Sequence, residues 1–156
     1  MWFLSENVLL TKDNLAKHNW HWCQKCCFCD SLETIEHLFV SCPFAKILWR
    51  MIFFAFNITP LTNIANKFSS WLNGVGKTTK AKIRVGVTAL CWSIWTTRNN
   101  IIFNKAGTNF LQVIRLAAHW LDQWSLLLPE DQREPMASGC NKLLMVTQDC
   151  YFRATG

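Results

Sequence analysis

Residues 23–42 read "CQKCCFCDSLETIEHLFVSC", with five cysteines and one histidine in twenty residues, and the fold turns on which of them could share a metal. A structural zinc site takes four thiolate or imidazole ligands in a tetrahedron, commonly two from a tight Cys-x-x-Cys turn and two from a helix or its end. Cys23/Cys26 and Cys26/Cys29 both have the turn spacing. The residue after the second cysteine often needs a positive φ, which Asp tolerates better than Cys. Asp30 follows Cys29 and Cys27 follows Cys26, so the reading favours Cys26 and Cys29. For the other half, His37 and Cys42 are five residues apart, a rotation of about 140° on an α-helix and too wide for one face. The helix is therefore expected to end before Cys42, where Pro43 disfavours helical geometry. Thr34 is its expected N-cap, with Glu33 and Glu36 near the positive end. The expected set is Cys26, Cys29, His37 and Cys42, spaced C-x2-C-x7-H-x4-C, and it binds zinc. Four protein ligands leave no open position, so the site is structural, not catalytic. Cys23, Cys27 and His21 remain as substitutes. Cys91, Cys140 and Cys150 read as small hydrophobes or tail residues.

Outward from the cluster, periodicity predicts a mostly α chain in which the zinc-knuckle-like site is followed by a helical bundle or hairpin. Thr11 caps a short helix over "KDNLAKHNW". "FAKILWRMIFFAF" places Phe44, Ile47, Leu48, Met51, Ile52 and Ala55 on one stripe. "IANKFSSWLNG" reads as a short helix. A long helix spans Lys77 to Asn104, where Gly86 weakens the helix or admits a close backbone. A second runs from Phe110 to Leu128, closed by Pro129, and the "KAGTN" turn lets the two pair as a hairpin. "EDQREPMASG" reads as a polar linker before a weak helix at residues 141–152. The organisation expected is a zinc-binding region at 1–56, a helical region of the same domain at 57–128, and a linker with a C-terminal helix at 129–156.

Composition limits the function classes. With 51% hydrophobic residues and nine tryptophans the 156-residue chain can bury a bulky core, and some indoles are expected at the surface. Mean hydropathy is only +0.09, and no uncharged run is long enough to span a bilayer, so no membrane is expected. "MWFLSENVLL" has neither a basic n-region nor a small-residue cleavage site. The expectation is an intracellular protein, with the nucleus as a candidate location, whose eight cysteines are thiols and ligands, not disulfides.

Charge is segregated. From His37 to Leu121 there is no Asp or Glu, yet there are ten Lys or Arg. Such a single-sign field attracts polyanions. Lys25, Lys46 and Arg50 flank the cysteine cluster, and Lys77, Lys80, Lys82 and Arg84 crowd two helical turns. These seven are the candidate phosphate contacts. Phe28 and Phe39 stand where aromatics of small zinc knuckles stack on unpaired bases. Phe39, beside Leu38, is expected to pack under the site; for Phe28 both roles stay open. "GVGKTTK" lacks the leading glycine and preceding strand of a P-loop and reads as a helix start. His119, expected on an apolar helix face beside Trp120, suggests no catalysis, and no acid pair suits two-metal chemistry.

The stretch "CCFCDSLETIEHLFVSCPFAKILW" resembles the zinc-binding region that follows the reverse transcriptase domain in plant LINE-type (non-LTR) retrotransposons. The matching positions are Cys26, Cys29, Glu33-Thr34, His37-Leu38-Phe39, Cys42 and Leu48-Trp49. "LLTKDNLAKHNW" is similar to the family's approach to the first cysteine. "LCWSIWTTRNNIIF", with Trp92, Trp95, Arg98-Asn99 and Phe103, resembles a helix that follows in these proteins. The resemblance covers about residues 7–128. It implies zinc as cofactor, RNA or single-stranded DNA as ligand, and the parent element's reverse transcriptase domain as partner. The family's upstream Trp-rich helix and its polymerase and ribonuclease segments have no counterpart, so a free-standing, non-enzymatic module is expected. The alternative is a zinc-stabilised protein-interaction module whose tryptophans form a docking face.

Overall fold

The computed structural model describes residues 9–20, 23–57, 76–107 and 109–155, with side chains through Asp149. His21 and the helix expected in "IANKFSSWLNG" lie outside them. Among the described residues the chain is helical with no β-strand, and its elements are α1 (Lys12–Lys17), a π-turn (His37–Ser41), α2 (Pro43–Ala55), α3 (Lys77–Asn104), α4 (Phe110–Ser125) and α5 (Glu130–Thr155). One isolated antiparallel bridge, Lys25 to Leu32, closes the cysteine turn. Among the described residues no helix is long and apolar enough to cross a membrane.

The hairpin of α3 and α4 is the backbone of the fold. Lys105 takes a left-handed conformation and stops α3. Asn109 then opens α4 through a capping box: its side chain accepts from the Gln112 N–H, and the Gln112 side chain accepts from the Asn109 N–H. Trp92 meets Trp120 and Gly86 meets Leu121, numbers that fall on one helix as they rise on the other. The pair is therefore antiparallel. Its seam buries Val87, Leu90 and Ile94 with Val113, Ile114 and Ala117. Gly86 admits no backbone. Its nearest neighbour is the Leu121 side chain, at an ordinary 3.8 Å from where a Cβ would stand.

The polar stretch after Pro129 is not a linker. It is the first half of α5, which packs on α4 and α2. Glu130 and Asp131 occupy its positive first turn, while Arg133 donates to the carbonyls of Leu126 and Leu128 that α4 leaves open. Gln132, Met136, Cys140, Leu143 and Thr147 are buried at spacings of four, four, three and four. This is a helical stripe, and it outweighs Pro135, which lies inside the helix.

In α2 the buried stripe is displaced from the expected one. Ala45, Leu48, Trp49, Ile52 and Phe53 face inward, whereas Ile47 is 46% exposed. The helix is apolar nearly all round, so periodicity cannot choose its inner side. The choice is made by the Trp49 indole N–H, which donates to the carbonyl of Phe39 at 2.7 Å. His119 departs too. It is exposed, about 200° around α4 from the buried Leu121.

Candidate metal centre

Two pieces of backbone bring the ligands together. The first is the turn. Cys26 N–H donates to Ser31 O at 2.8 Å and Glu33 N–H to Gln24 O at 2.9 Å, which ties both sides of the loop. Inside it the Phe28 N–H points at the Cys26 sulfur, 3.4 Å away. Asp30 does not have the positive φ expected of it. Among the described non-glycine residues only Asn19, Asn57 and Lys105 do, so the bridge, not a left-handed residue, shapes the turn.

The second piece is the π-turn. Thr34 caps the helical residues 35–36 that lead into it, its hydroxyl accepting from the His37 N–H at 3.0 Å. The winding is not α. Cys42 N–H donates to His37 O at 2.8 Å, an i→i+5 bond that brings the fifth residue back above the first. The rotation that would separate His37 from Cys42 on an α-helix is thereby largely undone. At Cys42 the chain becomes extended (ψ 132°), and Pro43 is the first residue of α2.

Sγ of Cys26, Cys29 and Cys42 and one ring nitrogen of His37 all lie within 4.8 Å of one another. Zn–S and Zn–N bonds of about 2.3 and 2.0 Å place tetrahedral ligand atoms about 3.8 Å (S–S) and about 3.5 Å (S–N) apart. The Cys42–Cys29 sulfurs are 3.8 Å apart and Cys29 Sγ is 3.1 Å from His37 Nε2. The donor set and its spacing fit zinc. Hydrogen bonds from the Cys27 thiol, then the Cys42 thiol, hold the Cys26 sulfur far below the usual thiol range. The Phe28 N–H and His37 add to this against the opposing push of burial. Cys27 and Cys42 are correspondingly raised, first by their bonds to Cys26 and then by burial. These contacts favour the thiolate at Cys26, the form in which a cysteine ligates a metal. Among the described residues no other group of His, Cys, Asp and Glu could hold a metal; Cys23 is exposed and stands apart.

A buried ion pair locks this loop to the hairpin, and the sequence reading passed over it. Glu33 and Arg98 are both about 1% exposed. Glu33 Oε1 accepts from Arg98 Nη2 at 2.6 Å, Arg98 Nε at 3.1 Å and the Lys12 N–H at 2.9 Å. The Arg98 guanidinium also lies 5.0 Å from the centre of the Trp95 ring. Arg98 is therefore no phosphate contact. A lone arginine on the inward side of an apolar helix was the available signal, since a buried cation calls for a buried acid.

The aromatic and basic candidates divide. Phe39 is buried, as expected. Phe28 lies flat against Phe44, centroids 4.3 Å apart, so one of its faces is already covered. Lys25 sits 3.6 Å from Asp30. Lys46, Arg50, Lys77 and Arg84 are exposed and Lys80 is half-buried. Lys82 is turned about 200° from both Lys80 and Arg84 and lines a groove of about 370 Å³ between α2, α3 and α5.

The fold and the site together define a helical protein carrying a Cys3His cluster able to hold zinc. A family model described as zinc-binding in reverse transcriptase matches residues 1–49. The matched span holds all four cluster residues, Glu33 and Trp49. No curated protein and no solved structure matches the chain.

Proposed function

We propose that the chain is a non-catalytic, zinc-stabilised module derived from the reverse transcriptase of a plant LINE-type retrotransposon, and that it binds RNA or single-stranded DNA inside the cell. The observation that carries this is the coincidence of the Cys3His cluster with the span matched by the zinc-binding family. Zinc, when bound, would cross-link the turn to the π-turn and so fix the loop against α2 and α3. In a complete element the module would hold RNA template or target DNA near the polymerase domain. Support for the nucleic-acid role comes from charge: Lys46, Arg50, Lys77 and Arg84 are exposed within a span that contains no acid.

Titrating labelled oligonucleotides across a salt series tests the proposal. Each phosphate contact on a single strand contributes a slope of about −0.7 in log K against log salt. Replacing Lys77, Lys80 and Arg84 by Gln should weaken binding and flatten that slope, while Lys82→Gln, facing the groove, should change it least. A second reading has its own observation. Leu126 and Leu127, at the end of α4, are 60% and 80% exposed, neighbouring apolar side chains suited to a protein partner. Association there would be nearly independent of salt.

A further inference from the structure

The seam between α3 and α4 carries an aromatic cluster that the metal centre does not use. Trp92 of α3 meets Trp120 of α4 edge-on, with centroids 6.4 Å apart and planes at 86°. Trp124, one turn along, lies 5.4 Å from Trp120 with planes at 35°. Trp92 is 41% exposed, and the other two are half-buried. Packing alone does not account for an indole at position 120. Its Nε1 is buried with no hydrogen-bond partner, an orphaned donor that a leucine in the same place would not leave.

We propose that Trp92, Trp120 and Trp124 form a stacking platform for the bases of single-stranded nucleic acid, with Arg84 holding phosphate beside it. The inference rests on the nucleic-acid function above and assigns it residues separate from the zinc cluster. Every base has a π-face, so indoles at a surface bind single strands with little regard to sequence. Charge decides for a polyanion over an apolar protein partner. Arg84 is exposed on the same helix, about 12 Å before Trp92 and about 80° around from it. α3 contains no acid. The acid of α4, Asp122, lies about 200° around from Trp120, on the side where its charge acts on Cys140 of α5.

The test uses the zinc-loaded full chain, with oligouridine and oligothymidine as probes. Trp92→Ala/Trp124→Ala should lower affinity roughly five- to one-hundred-fold and leave the salt slope unchanged, because stacking releases no counterions. Trp92→Phe/Trp124→Phe should recover most of the loss. Oligonucleotide should quench the indole fluorescence of the parent chain. If the parent binds with a salt slope but without quenching, or if the alanine pair binds equally well, the platform is wrong and the nucleic-acid function stands. If the alanine pair loses its helical circular dichroism, the surface substitution Trp92→Ala alone decides by the same criterion. Absence of salt-dependent binding by the parent overturns the underlying function and the platform together. Saturable, salt-independent capture of a protein in place of the oligonucleotide also overturns the platform.

Discussion

Glu33 concentrates three hydrogen bonds on one carboxylate oxygen and leaves Oε2 buried without a partner. A pair so placed is expensive to break and cheap to replace: removing one partner strands a buried charge, at about 3–5 kcal/mol, whereas an apolar pair of similar volume can be neutral. Glu33→Ala should therefore lower the zinc-loaded protein's unfolding free energy by about 3–5 kcal/mol, and Glu33→Leu/Arg98→Met should restore most of it; urea melts check both. At the cluster, Cys29→Ala or His37→Ala should abolish zinc binding, while Cys23→Ala should leave one zinc per chain by metal analysis. Cys27 is the intermediate case. Its thiol touches the Cys26 sulfur without joining the cluster, so Cys27→Ala should keep the metal with affinity lowered about 10–100-fold, as loss of an outer-shell partner does. That Cys26, Cys29, His37 and Cys42 come together was legible because residue type and spacing both constrain them. The reason first given for choosing Cys29, a positive φ at Asp30, was not the operative one.

At the scale of elements, two glycines show what helix propensity leaves undecided. Both lie inside helices, where Ala is favoured over Gly by about 1 kcal/mol. At Gly86 a Cβ would meet only Leu121, at 3.8 Å, so Gly86→Ala should raise stability by about 0.5–1 kcal/mol. At Gly139 the Phe56 ring of the α2 C-cap lies against the backbone, and a Cβ would come within 3.0 Å of it. There Gly139→Ala should destabilise by about 1–3 kcal/mol, overpacking outweighing propensity. Thermal melts of the two variants, moving in opposite directions, test the contact that docks α5 on α2. The extent of α3 was legible because the apolar stripe from Ile83 to Ile102 is bracketed by Gly76 and the "KAGTN" turn. The start of α5 was not, because Pro135 and the charged residues around it masked the stripe of Met136, Cys140, Leu143 and Thr147. A π-turn has no propensity signature, so the winding that aligns His37 with Cys42 could be inferred only from the need to bring them together.

In the molecule as a whole the zinc loop is an edge of the core, not its centre. Leu38, Phe39 and Cys42 join the same buried cluster as Leu48, Leu90, Ile114 and Leu143, but the helix pairs α3–α4 and α4–α5 pack against each other without passing through the loop. Their inward faces are covered whether or not a metal bridges Cys26, Cys29, His37 and Cys42. Structural zinc sites supply about 10–16 kcal/mol of apparent binding energy, enough to hold a loop whose only regular pairing is one bridge. Chelation should therefore unfold residues up to the start of α2, strip Glu33 from Arg98, and leave most of the far-ultraviolet helical signal in place. Amide hydrogen exchange would show the division directly, with protection lost around Cys26–Cys42 and retained in the buried turns of α3 and α4. A collapse of the whole chain to coil on chelation would mean that the Glu33–Arg98 pair, stranded when the loop leaves, destabilises α3 by more than its packing on α4 can offset.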